Sequence, residues 1–478
     1  MIGRVARAEA PDTRGTMVVA GALLAAVVTG LLAAYNLMLG AAAVLVLVVV
    51  AAAIFRPVLI VLLLFVSVYP STFAVGGITI QRLGGPLAAI TVAAQVLRGG
   101  VHLRAHKLTL WLVCGYIAVA AASLAWSLSP GATIDAMAAL AISVAYMAAV
   151  ATVVRDAGEL RAVFWVMTAW STVLGGWWIL SYLQGQSREF NVLGDPNFFS
   201  GLQVIVVPLV VALISHTSRR LLRLLLYAAL AIIACSIVAS LSRGGMVALL
   251  VVAVVMLILP SGYVFRSGAH KLRFLGAAIA ASMLVLALAG ATLVQRFEQT
   301  LNDPTVGAGR GDLSLAALHG FHDHPVLGMG FGAFTSNSFQ LLRTTPGVYL
   351  DLHLTCLDTG AGTHFRATGS FCVGQPVHNT YLESLVELGI PGLLLFVGIL
   401  AAATRSLVRS ARLAQISNDR FSASAGAALA VGLLGFVVLA ATLSAETNRS
   451  PWMIVGLSLA LPAMVGPARL WGSSEASR

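Results

Sequence analysis

Apolar residues run through this chain in unbroken blocks, many of them close to the roughly 20 residues a helix needs to cross hydrocarbon. Fourteen such blocks are legible, at about 17–35, 37–55, 57–70, 84–97, 108–126, 132–153, 162–183, 200–216, 222–241, 244–260, 274–294, 385–404, 424–443 and 453–467. Lipid cannot satisfy backbone polar groups, so spanning segments must be helices or a closed barrel. Runs that do not alternate favour helices. The predicted fold is an all-α polytopic membrane protein with about 12–14 transmembrane helices, the blocks at 57–70 and 84–97 being the shortest.

The pattern pauses once, from roughly Arg296 to His378, where Arg, His and carboxylates gather in one long polar stretch. This predicts a tail (1–16), helices 1–11 (17–294), a large loop carrying the chemistry (295–384), helices 12–14 (385–467) and a second tail (468–478). No short apolar core with a small-residue cleavage pattern follows the basic start, so the first helix is expected to remain as an anchor.

Charge orients the spans. Only 10% of residues are charged and 59% are hydrophobic, against about 25% charged in a soluble domain. With the N-terminus in the cytoplasm, both termini and 21 of the 29 basic residues fall on the inner side. The outer side keeps Arg82, Arg188, Arg243, Arg296, Arg310, Arg343, Arg366 and Arg449. This is the asymmetry the positive-inside rule requires. The formal charge of +11 is therefore chiefly a topology signal; no basic stripe suggests a nucleic acid. Both lysines are inner, and every outer cation is an arginine, whose permanent charge and planar fork suit phosphate.

The polar motifs each carry a bland reading beside a chemical one. Arg243, in Ser242-Arg243-Gly244-Gly245, adjoins two spans and needs water or an anion, or else snorkels to headgroups. Arg310 sits in a glycine-rich turn before a helical segment, where Asp312 reads as a first-turn acid; a cation at a helix start also fits anion binding. His319, His322 and His324 surround Pro325 without a recognisable metal spacing and read best as a hydrogen-bonded turn. Val326 to Gly332 reads as a tight backbone segment packed near the membrane.

His378 precedes Thr380-x-x-Glu383, a capping-box pattern that predicts a helix starting at Tyr381 with Glu383 in a structural role. The positive end of that helix would keep the imidazole neutral and able to take a proton from a hydroxyl. Gly389-Ile390-Pro391-Gly392 predicts a short or kinked helix. Asp195-Pro196-Asn197 reads as an Asx-type helix start, and Glu446 and Arg449 as a surface pair. Cys114 and Cys235 fall in helices as small core residues. Cys356 and Cys372 lie in the outer loop, where a disulfide is permitted and would contribute about 3 kcal/mol.

Ser242-Arg243-Gly244-Gly245, the Gly309-Arg310 turn, Asp323-His324-Pro325 through Gly332, and His378-Asn379-x-Tyr381-Leu382-Glu383 running into Gly389-Ile390-Pro391-Gly392 resemble, in order and spacing, the O-antigen ligase and polymerase superfamily. The resemblance covers roughly residues 190–465. It implies a metal-independent, cofactor-free glycosyltransferase of the GT-C type in the bacterial inner membrane. Its donor would be a glycan on a polyprenyl (undecaprenyl) diphosphate, used at the periplasmic face in cell-surface polysaccharide biosynthesis. It further implies that Arg243 and Arg310 engage the diphosphate and that His378 acts at the acceptor, a glycolipid or glycan. His324, Asp195, Asn197, Glu383 and Arg82 are carried as substrate-binding candidates. A ligase reading leads, because one large loop dominates; a repeat-unit polymerase is the alternative. A lipid-glycan transporter fits less well, because the spans are nearly free of charge and show no internal repeat.

Overall fold

The computed structural model describes residues 51, 55–68, 74–75, 78–99, 107–185, 195–276, 290, 294, 298, 310–348 and 374–465, with the side chains of 74–82 outside that description. The chain divides into two compact units, residues 1–60 and 61–478, and the bundle and its sites lie in the second. The expected spans 17–35, 37–55 and 274–294 fall almost wholly outside the described residues, as do both tails and Cys356 and Cys372.

The chain is an all-α multi-pass membrane protein. In order come α1 (Pro57–Ser67), two two-residue strands (Ala74–Val75 and Ile78–Thr79) paired antiparallel, α2 (Ile80–Leu97) and α3 (Lys107–Ala122). A 3₁₀ turn (Ser123–Ala125) leads to α4 (Pro130–Val153), α5 (Ala157–Leu183), α6 (Pro196–His216), α7 (Arg220–Ala239) and α8 (Arg243–Ile258). Two loop helices, α9 (Arg310–Asp323) and α10 (Ala333–Thr344), precede α11 (Thr380–Ile416), α12 (Arg420–Ala440) and α13 (Arg449–Val465). Among the described residues, seven helices are long and apolar enough to span: α3 with its 3₁₀ extension, α4, α5, α6, α7, α11 and α12.

Helices α6 and α12 form the centre. They are 94% and 83% buried over their apolar windows, against 28% for α3 and α7, whose outward residues such as Trp111 and Leu221 are left for lipid. Lipid tails are as apolar as leucine, so close packing of small residues must hold such a centre together. On α12, Gly432 lies so near α6 that a Cβ would sit 2.7 Å from the Ile205 carbonyl oxygen. Of the helix cysteines, Cys235 is half-buried, but Cys114 lies on the exposed side of α3 and is not a core residue.

The expected kink in α11 is present and has a partner. Gly389 adopts φ 66°, ψ −165°, which opens the backbone between the first turns of α11 and its long continuation. The segment 325–332 lies along this opening. The Met329 and Gly330 amides donate to the Val386 and Glu387 carbonyls at 3.0 and 2.9 Å, and the Ile390 amide donates to the Pro325 carbonyl at 3.4 Å. A Cβ on Gly328 would fall 2.3 Å from the Glu387 carbonyl carbon, and one on Gly389 would fall 2.1 Å from the Val326 oxygen. Both residues are in the left-handed region, so glycine is required there twice over.

The other edge of the same strap is tied to the turn between α3 and α4. The Leu128 amide donates to the Met329 carbonyl at 3.0 Å, Trp126 Nε1 to the Leu327 carbonyl at 3.1 Å, and the Phe331 amide to Ser123 Oγ at 3.0 Å. The start of α10 has no local side-chain cap. Its orphan amides are taken instead by Glu387 of α11: Gly332 N–H to Oε2 at 2.6 Å and Phe334 N–H to Oε1 at 3.1 Å. Over this frame α9 and α10 close a small core around Leu313, Ala317, Phe334, Leu342 and Val386.

Adding a methyl group to Gly328 should push the strap off α11 and cost roughly 2 kcal/mol or more. Thermal unfolding of purified protein in detergent should show G328A well below wild type. G311A, on an open face of α9 with nothing within 4 Å, should match or slightly exceed wild type.

Candidate functional site

The ends of α6, α8 and α11 meet on the face that carries the loop helices. At α6, Asp195 Oδ1 accepts from the Asn197 amide at 2.7 Å and the Phe198 amide at 3.2 Å, the Asx-type start expected from Asp-Pro-Asn. At α8, Ser242 caps through Oγ, accepting from the Gly245 amide at 3.1 Å and donating to Asn197 Oδ1 at 2.8 Å. Asn197, buried, thus ties the start of α6 to the start of α8. Arg243 follows as the first helical residue of α8.

Arg310 opens α9, with Asp312 buried in its first turn, as expected. Burial lowers the pKa of the Arg310 guanidinium, Asp195 opposes this, and Arg243 lowers it further. A guanidinium so lowered still stays charged at neutral pH. The two guanidiniums and Asp195 therefore share one field, with a positive excess.

His378 lies just before α11 in the left-handed region, at φ 57°, a costly conformation for a residue other than glycine. Its backbone amide donates to Ser444 Oγ at 3.0 Å. The Glu383 carboxylate engages the same Ser444 hydroxyl and the Val377 amide. The strained backbone is thus held from two sides. Burial pushes the His378 imidazole below its ordinary value, Arg310 pushes it further down, and Asp195 pulls it back. The ring is consequently neutral near pH 7.

The expected capping box is not formed. Asn379 is the N-cap of α11, its Oδ1 accepting from the Tyr381 and Leu382 amides at 3.1 and 3.2 Å, and the helix begins at Thr380. Thr380 is drawn away to the α12–α13 corner, where its hydroxyl donates to the Leu443 carbonyl at 2.6 Å and accepts from the Ala445 amide at 3.1 Å. Glu383 keeps a structural role, but by holding Ser444 and Val377. Nor do Glu446 and Arg449 pair. Arg449 lies 5.8 Å from the Tyr146 ring, and Glu446 turns inward beside Glu383 and Glu387, where burial holds its carboxyl well above the ordinary carboxylate range and the two neighbours push the same way.

The structure brings Arg310 within electrostatic reach of Arg243, Asp195 and His378, and His378 within reach of Asp195 as well. It does not bring His324 there. His324 follows the far end of α9, about 20 Å along the helix axis from Arg310 at 1.5 Å per residue. In the same region His319 Nδ1 lies 3.4 Å from Asp323 Oδ2, four residues on. The Arg82 side chain is outside the described residues. Sequence reasoning passed over Glu387, although it lies four residues after Glu383, a spacing that puts two acids on one helix face.

A search of curated proteins returns no match. A family model described as O-antigen ligase matches residues 228–363, a stretch that contains Arg243, Arg310 and the strap and stops before His378. Over that segment the chain is similar to the O-antigen ligase family, in line with the resemblance carried by the motifs before and after it.

Proposed function

We propose that this protein is a metal-independent membrane glycosyltransferase that moves a glycan from a polyprenyl diphosphate to an acceptor hydroxyl at the outer face of the bacterial inner membrane, in the manner of an O-antigen ligase. The observation that supports the reading is that Arg310 of α9 lies within electrostatic reach both of Arg243 on α8 and of a neutral, strained histidine. In the reaction, the acceptor oxygen attacks the anomeric carbon and the bond to the diphosphate oxygen breaks. The acceptor proton passes to His378. Arg243 and Arg310 receive the negative charge that grows on the leaving diphosphate, and in-line displacement inverts the sugar. Fixed guanidiniums in a partly buried site suit this task, because they need no reorganisation as charge develops. Asp195 keeps the pair from repelling outright and holds the start of α6 in place. The prenyl tail lies against the apolar helices.

The positive-inside asymmetry supports the outward orientation, with α9, α10 and the strap on the periplasmic side. The ligase reading separates from the polymerase reading at the product. Supplied with a polyprenyl-diphosphate glycan and a glycolipid acceptor, a ligase yields a single conjugate, whereas a polymerase yields ladders without added acceptor. No transfer to any acceptor hydroxyl would end the glycosyltransferase reading.

Removing either guanidinium should lower transfer about 10²–10³-fold, the usual consequence of losing one preorganised donor to a developing oxyanion. The check is a reconstituted assay of R243A and R310A, with melting curves to show intact folding; near-wild-type turnover in both would remove the diphosphate clamp.

The pH profile should carry the mark of His378. A base with a depressed pKa stays active until protonated, so the acid limb of kcat should lie below the ordinary histidine value of about 6.5. In R310Q, losing the neighbouring positive charge should move that limb towards higher pH. An acid limb that does not respond to R310Q would exclude His378 as the base.

A further inference from the structure

The opposite end of the bundle holds a cavity that the transfer reaction does not use. It lies where α6 ends, where α8 is followed by the turn at 259–266, and where α11 turns into α12. Because α6 begins at Asp195 and ends at His216, this cavity faces the other side of the membrane from His378. Its larger lobe, about 550 Å³, is lined by Arg266, Arg420, His216, Tyr263 and Gln415 among others. That volume falls within the roughly 300–1,000 Å³ usual for ligand sites. A second lobe of about 190 Å³ shares His216, Thr217 and Ser218 with the first and is lined also by Trp165, Leu213, Leu222, Arg161 and Arg219.

Basic residues around this cavity are used in different ways. Arg155 donates to the Thr152 carbonyl at the end of α4 and to Gln95. Arg223 donates to the Thr217 carbonyl after α6, and Lys271 to the Leu257 and Leu259 carbonyls at the end of α8. These three satisfy helix C-termini, an ordinary structural use of a cation. Arg161 is packed over the Phe421 ring, 4.4 Å from its centroid. Arg266 and Arg420, by contrast, make no guanidinium hydrogen bond and no ion pair among the described residues, yet both line the larger lobe.

The nearby acids are already engaged. Asp419 Oδ1 caps α12 through the Ser422 amide at 3.1 Å, Asp156 caps α5, and Glu159 accepts from the Arg155 amide at 2.7 Å. Two of the hydroxyls are turned to backbone: Ser215 to the Val264 carbonyl and Thr217 to the Leu213 carbonyl. What remains is a positively charged cup with uncommitted arginine forks, beside a lobe in which an indole and two leucines form the apolar part of a mixed wall. A phosphate-bearing anion matches the cup. A soluble phosphate leaves the Trp165, Leu213 and Leu222 surface uncovered, whereas a lipid covers it and meets the basic residues with its headgroup.

We propose that this cavity binds a phospholipid of net negative charge, its headgroup phosphate between Arg266 and Arg420 and the start of an acyl chain against Trp165, Leu213 and Leu222. With the orientation set by the basic residues, the lipid comes from the cytoplasmic leaflet, and basic pockets between helices on that side suit anionic headgroups.

Native mass spectrometry of the full-length protein in detergent tests this, with added phosphatidylglycerol, phosphatidylcholine or inorganic phosphate. Wild type should retain phosphatidylglycerol in preference to phosphatidylcholine, and inorganic phosphate should displace little of it. R266Q/R420Q should bind phosphatidylglycerol about 30-fold more weakly, from two basic contacts at their usual worth near an anionic headgroup. R266K/R420K, which keeps the charge, should stay within severalfold of wild type. R220Q, an exposed arginine beside the cavity but not lining it, should change nothing. Wild-type retention in R266Q/R420Q, or an equal loss in R220Q, would overturn the site. Ready displacement by inorganic phosphate would overturn the lipid and leave a soluble anion as occupant. Should R266Q/R420Q fail to fold, indifference of the wild type to headgroup charge overturns the proposal, and a clear preference for phosphatidylglycerol upholds it.

Discussion

Backbone that leaves helical geometry inside a membrane protein must find partners in the protein itself, and that requirement organises this molecule. Gly389 breaks α11 near its start, which frees carbonyls and amides that lipid cannot satisfy. The strap at 325–332 supplies the partners on one side and, on its other side, bonds to the turn between α3 and α4. Glu387 closes the arrangement by capping α10 across the same junction. One opened helix turn thereby fixes two loop helices against three membrane helices, and Arg310, at the head of α9, is carried into position with them.

The chemistry proposed for this face depends on that rigidity. Guanidiniums can replace a metal ion only if they are already placed when the diphosphate departs, because long flexible side chains otherwise lose their benefit to reorganisation. Arg243 is anchored by a helix start whose cap, Ser242, is itself bonded to Asn197 of α6. His378 is anchored by a backbone conformation it would not choose alone, restrained through Ser444 and Glu383. Strain held by buried neighbours is what an organised reacting group looks like in a static structure. The neutral state of the ring comes from burial and from Arg310, so the proposed base and the proposed diphosphate clamp would be electrically one unit.

The sequence disclosed the parts whose signal is local. Apolar length marked the spans, Asp-Pro-Asn marked the start of α6, and Gly-Ile-Pro-Gly marked the kink. The misreadings arose where a distant segment competed for a polar group. Thr380 looked like a cap because Thr-x-x-Glu usually makes one, but the Leu443 carbonyl, sixty-three residues away, takes its hydroxyl and leaves the cap to Asn379. Glu446 looked like the partner of Arg449 at three residues' spacing, but packing turned it inward among Glu383 and Glu387. Glu387 is the instructive omission: its partners are amides 53 and 55 residues earlier in the chain, and no local pattern announces a helix cap supplied across such a gap.

Binding of a polyprenyl diphosphate to the purified full-length protein, at low and at high salt, addresses the central claim most directly. The account predicts that R310A and R243A each weaken binding severalfold or more and flatten its salt dependence, while H378A binds as the wild type does, because its imidazole serves the acceptor. Undiminished, equally salt-sensitive binding in both arginine variants would contradict it.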